Sequence, residues 1–162
     1  MDMKNRLMEK LEKVINTSSN VDMEVLDQLL SGLEQKNAGN YTTYITSFMQ
    51  TSMSVEDDIL EMTIPITPFL NNSVDIVHGG FTATLADTAM GTLVNKKIDK
   101  NRVAVTAEMK LNYTAPGKGV QLRCKASILH LGSKTAVTEA KIYDEKNTLV
   151  AAASGSFYLI PR

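Results

Sequence analysis

Residues 79–97 read GGFTATLADTAMGTLVNKK, and this stretch decides the fold. Phe81, Ala83, Leu85, Ala86, Ala89, Met90, Leu93 and Val94 point in every direction around a helix. A helix that is apolar all round is enclosed, whereas one lying on a surface keeps a polar face. The flanking segments say what encloses it. Upstream, residues 41–53 and 58–66 read as two strands around a polar turn at Val55-Glu56-Asp57. Downstream, period-two segments at 103–113, 119–131, 134–144 and 148–160 are separated by Pro116-Gly117-Lys118-Gly119, Gly132-Ser133-Lys134 and Asp144-Glu145-Lys146-Asn147. These are hairpin turn chemistries. In 103–113 the alternation puts Val103, Val105, Ala107, Met109, Leu111 and Tyr113 on one face. Ala151 to Ser156 are all small, so something packs closely on the last strand. Two strands, one helix and four more strands predict an α+β protein of the hotdog type: a curved antiparallel sheet wrapped around one central helix.

Residues 1–40 form a separate helical extension, and 41–162 form the sheet-and-helix domain. Leu7, Met8, Leu11, Val14 and Ile15 fall at helical spacing, as do Val21, Val25, Leu26, Leu29, Leu30 and Leu33. The extension carries five basic residues (Lys4, Arg6, Lys10, Lys13, Lys36) and seven acidic ones (Asp2, Glu9, Glu12, Asp22, Glu24, Asp27, Glu34). It therefore lacks the basic footprint of a DNA-reading unit, and a packing or assembly role is expected for it.

The remaining composition narrows the function. A net charge of -1 over 162 residues gives no general attraction to nucleic acid or to an anionic membrane. The first residues lack the apolar core of a signal peptide, and no stretch has the roughly 20 apolar residues of a membrane span. Cys124 is the single cysteine, so no internal disulfide forms, and a cytoplasmic location is expected. Two histidines far apart in sequence argue against a metal site, and no cofactor is expected. Cys124 and His130 read as packing or surface residues.

Asp87 is the only charge between Gly79 and Lys96. A carboxylate on an enclosed helix is costly unless it is paired or kept for chemistry. Its neighbours one turn away, Ala83 and Gly91, are small, and a glycine inside a helix costs about 1 kcal/mol relative to alanine. That cost points to close approach by a ligand or another backbone. His78-Gly79-Gly80 enters the helix, where glycine N–H groups at the positive dipole end suit a carbonyl oxygen gaining negative charge. Asp87 lies about 12 Å further along the axis at 1.5 Å per residue. One reacting carbonyl cannot meet both within one chain, so a site using both is shared between two chains.

Asn72 to Gly80, followed by Leu85-Ala86-Asp87-Thr88-Ala89, resembles the signature of hotdog acyl-CoA thioesterases of the phenylacetic-acid-degradation branch. Val105 to Pro116 is similar to the next strand of that branch and its closing Tyr-x-x-Pro. The resemblance covers residues 42–160 and implies hydrolysis of acyl-CoA by a dimer or a dimer of dimers. It implies that the Gly79 N–H holds the thioester carbonyl, with Asn72 helping and His78 supporting the loop or the departing thiolate. Asn71 and Asn72 are adjacent, and loop register decides which one reaches the site. Asp87 of the partner subunit would be base to water or direct nucleophile, with Thr106 orienting the water. Gly80 would line the substrate site, and Lys118 and Lys134, like Arg102, are candidates for the CoA phosphates. The acyl group stays open. Two alternatives stand beside hydrolysis: a hotdog hydroxyacyl thioester dehydratase or hydratase using His78 and Asp87, and a non-catalytic acyl-CoA sensor.

Overall fold

The computed structural model describes residues 2–162 and divides into two compact units, one ending at Phe48 and the other spanning Met49–Arg162. The first holds α1 (Met3–Thr17), α2 (Asn20–Asn37) and α3 (Tyr44–Phe48). A reciprocal cap starts α2: Asp22 N–H donates to Ser19 Oγ (3.2 Å) while Ser19 N–H donates to Asp22 Oδ2 (3.0 Å). The hydrogen bonds from the Ser19 hydroxyl and amide hold the Asp22 carboxyl below its usual range. Residues 41–53 are not the strand that their alternation suggests. Thr43 Oγ1 instead accepts from Thr46 N–H (3.2 Å), and the Gln28 side chain of α2 donates to Phe48 O (2.7 Å). The segment becomes a single helical turn, α3, and the first strand starts only at Ser52.

The second unit is the sheet and its helix. Strands β1 (Ser52–Glu56), β2 (Ile59–Pro65), β3 (Arg102–Tyr113), β4 (Gln121–Leu131), β5 (Thr135–Asp144) and β6 (Leu149–Pro161) pair antiparallel in the order β1-β2-β4-β5-β6-β3. Asp57 and Asp58, both at positive φ, close the β1–β2 hairpin opposite the Glu56–Ile59 pair. Two left-handed turn residues match the right-handed twist of paired strands.

Helix α4 (Gly79–Lys97) packs against this sheet. Thr82, Leu85, Ala86, Ala89, Met90, Leu93 and Val94 are fully or almost fully buried, among them Leu85 and Leu93 against core residues such as Leu60, Met62, Leu122, Ile142 and Phe157. Each such leucine or methionine contributes roughly 1.5–3 kcal/mol of transfer free energy. Ala151, Ala153 and Gly155 keep β6 thin where Met90 lies over it. Helix α4 is not enclosed all round, however. Ala83, Thr84, Asp87, Thr88 and Gly91 remain half-buried, because the sheet of one chain covers only one side of the helix.

The clean alternation of β3 is interrupted. Thr106 pairs with Phe157 and Glu108 with Ser156, so Ala107 is an extra, bulged residue. A bulge shifts the side-chain phase by one. Ala104 and Thr106 face α4 before it, and Met109, Leu111 and Tyr113 face α4 after it. Val103 and Val105 therefore do not share a face with Met109, contrary to the uniform alternation expected from the sequence.

Candidate active site

The loop before α4 is tightly tied. Asn71 bridges Val77, His78 N–H donates to Leu70 O (2.8 Å), and Val77 N–H donates to Gly117 O (3.0 Å). Asn72 organises the tip. Its backbone N–H donates to Ile76 O (2.8 Å), and its Oδ1 accepts from Val74 N–H (3.0 Å) and Ile76 N–H (3.4 Å). Asp75 takes a left-handed conformation (φ 53°) at the exposed turn. Of the two asparagines, Asn72 lines the adjoining pocket, while Asn71 Oδ1 is buried with no partner among the described residues.

His78 is the N-cap of α4, and its Nδ1 accepts from Gly80 N–H (2.9 Å). The two glycine amides are therefore not equivalent. Gly80 N–H is engaged, contrary to the expectation that both stay open, and Gly79 N–H has no acceptor among the described residues. The His78 carbonyl accepts from Phe81 N–H (2.9 Å) and Thr82 N–H (3.3 Å), which strengthens the donor at the other end of the same peptide. Tyr113, which sequence reasoning did not single out, donates its hydroxyl to Gly79 O (2.6 Å). A Cβ at position 79 would lie 2.9 Å from that hydroxyl, so glycine is required for the approach. The available signal was the Tyr-x-x-Pro closing β3. Gly79 and Tyr113 open on a pocket of about 360 Å³, with Ile76, Val77, Thr82, Ala115, Pro116, Gly117 and Val150 among its walls.

Two turns along α4, Asp87 Oδ1 accepts a hydrogen bond from Thr106 Oγ1 (2.7 Å). The bulge at Ala107 accounts for this: it leaves Thr106 facing the helix while Glu108 and Lys110 turn to the other face of β3. Gly91 lets Phe157 approach the helix closely, since a Cβ there would meet Phe157 Cε1 at 3.2 Å.

The structure thus gathers Asn72, His78, Gly79 and Gly80 at the start of α4, with Lys118 exposed in the adjoining loop 114–120. It brings Asp87 and Thr106 together in one chain and keeps them about 12 Å along the axis from Gly79. Lys134 lies on the β4–β5 turn, at the strand ends opposite Tyr113 and away from the helix start. Arg102 donates to the carbonyls of Ser133 and Leu159, pinning that end of the sheet. Burial pushes the Cys124 thiol up to about 12, so it is no nucleophile near neutral pH. Among the described residues, no group of His, Cys, Asp and Glu is placed to hold a metal ion, and no helix is long and apolar enough to cross a membrane.

Residues 75–151, which include the helix start and Asp87, match the thioesterase superfamily. The chain belongs to that superfamily. It is a thioester hydrolase. The BH2602 protein of Bacillus halodurans, crystallised with CoA, is 38% identical; the match covers 94% of this chain and 99% of that one, with a TM-score of 0.88. Coverage that high includes most of the N-terminal helices of this thioesterase. The proofreading thioesterase EntH of Cronobacter sakazakii is 28% identical over 70% of this chain and 83% of its own length. The PaaI protein of the phenylacetic acid degradation operon of Escherichia coli shares the fold, with a TM-score of 0.68 at 21% identity over 82% and 96% of the two chains.

Proposed function

We propose that this thioesterase hydrolyses acyl-CoA at a site shared by two chains, with the Gly79 N–H of one and the Asp87–Thr106 pair of the other. The observation that carries the reading is the separation of an open donor at the α4 start from a carboxylate two turns away. The thioester oxygen lies against the Gly79 N–H, where the helix dipole and the amide stabilise charge as it develops. Thr106 holds one oxygen of Asp87, leaving Oδ2 to take the proton of the attacking water. The tetrahedral intermediate then expels CoA as thiolate. Asn72 keeps the loop in shape, and His78, bonded to Gly80, holds the first turn.

Two features support a second copy of the chain as the source of the other half. Strand β3 is the last of the sheet, so beyond Ala104, whose N–H donates to Asn95 Oδ1, its outer side offers backbone N–H and C=O groups for pairing. The half-buried face of α4 lies beside it. Antiparallel pairing of two β3 edges runs the two helices in opposite directions and carries the start of one toward the middle of the other.

CoA as the leaving group is supported by the CoA-bound relative and by the exposed Lys118 beside the pocket, a suitable partner for phosphate. The mostly apolar walls suit an acyl or pantetheine chain. The test is thiol release across acyl-CoAs that vary in chain length and aromaticity, with and without chelator. Release of CoA from at least one of them, unaffected by chelator, is expected. A flat response from folded protein sinks the reading.

A further inference from the structure

We infer that Tyr113 is a positioning residue for hydrolysis: through the Gly79–Gly80 peptide it fixes the direction of the Gly79 N–H. The inference rests on the reading of Gly79 just given. Its basis is that this peptide is held at both ends. Its carbonyl accepts the Tyr113 hydroxyl at 2.6 Å, and its N–H donates to His78 Nδ1 at 2.9 Å. Glycine turns about its backbone bonds more freely than any other residue, so a Gly-Gly helix start is a poor place to aim a donor unless it is restrained. The preceding peptide is restrained too, because its carbonyl takes the N–H groups of Phe81 and Thr82. Both rotations at Gly79 are thus tied, and among the described residues the only group left unbonded there is the N–H itself.

The fit between the two residues is mutual. The Tyr113 hydroxyl occupies the space that a side chain at 79 would need, 2.9 Å from an ideal Cβ, and the ring carbon behind it lies at 3.1 Å. Tyr113 can close on the helix start only because residue 79 has no Cβ. The strand contributes as well: were Ala107 paired in a regular ladder instead of bulged, Tyr113 would point to the face opposite Thr106. Tyr113 is 55% exposed in one chain, so its hydroxyl is not needed to fill a core. A restrained donor matters most when the carbonyl oxygen becomes an oxyanion, so the effect belongs in turnover rather than in binding.

The experiment is steady-state kinetics of full-length Tyr113→Phe with the acyl-CoA that the wild type hydrolyses best, beside a thermal melt. The substitution keeps the ring and the pocket wall and removes only the hydroxyl. A drop of about tenfold in kcat, with KM within about twofold and an unchanged melting temperature, is expected. The same substitution in a Gly79→Ala background should cost nothing further, because the new Cβ has already displaced the hydroxyl. Unchanged kcat, a loss confined to KM, a loss that tracks the melting temperature, or an equal loss in both backgrounds overturns the role of Tyr113. If Gly79→Ala itself turns over at the wild-type rate, or the wild type hydrolyses no acyl-CoA, the reading of Gly79 fails first and takes this inference with it.

Discussion

Asp87 and Thr106 are 19 residues apart in the chain and joined by one hydrogen bond, so each is defined by the other. Asp87 stood out in the sequence as the lone charge on an apolar helix. Thr106 entered only through the family resemblance, since simple alternation puts it with Glu108 and Lys110 on the polar face of the strand. Asp87→Asn keeps the shape and the contact with Thr106 but cannot take a proton. A loss on the order of 100-fold in kcat is expected for thioester hydrolysis. The melting temperature should shift little, because the carboxylate is only half-buried and α4 keeps its packed face. Near-normal turnover would mean that Asp87 is structural and that another group activates water.

At the scale of elements, the bulge in β3 does more than any single side chain to assemble the site. It lets one strand present Thr106 to the middle of α4 and Tyr113 to its start, although their separation of seven positions would otherwise put them on opposite faces. Deleting Ala107 restores uniform alternation and tests this directly. The shortened strand separates Thr106 from Tyr113 by six positions and keeps the Thr106–Phe157 and Glu108–Ser156 pairings, so Met109, Leu111 and Tyr113 still face the helix. A folded variant that keeps most of its turnover is expected, read by a thermal melt and thiol release. A deletion variant that unfolds or loses turnover would show that the bulge supplies local geometry and not the phase shift alone.

For the molecule as a whole, the open question is whether one chain carries a complete site, and subunit mixing answers it. His78→Trp should block the carbonyl end, and Asp87→Ala lacks the base, so each variant alone should be nearly inactive. When the two are refolded together, about half of the dimers are mixed, and each mixed dimer has one site with both halves native. Recovery of roughly a quarter of wild-type activity is the expected result. If mass analysis confirms exchange and activity stays at background, the site lies within one chain.

The sequence by itself determined the fold class, the order of the elements and the bounds of α4, because period-two and helical patterning are local properties. It also marked His78-Gly79-Gly80 and Asp87, where a glycine pair and a lone carboxylate break the pattern of their surroundings. It did not reveal that residues 44–48 are helical, since the contact of Gln28 with Phe48 O joins residues 20 positions apart. Nor did it show the bulge at Ala107, because a one-residue slip is defined only against the partner strand β6. The engagement of Gly80 N–H, the freedom of Gly79 N–H and the approach of Tyr113 were decided by tertiary structure alone. Each depends on which groups meet after α4 and β3 have packed, and a hydrogen bond between residues 34 positions apart leaves no trace in local patterning.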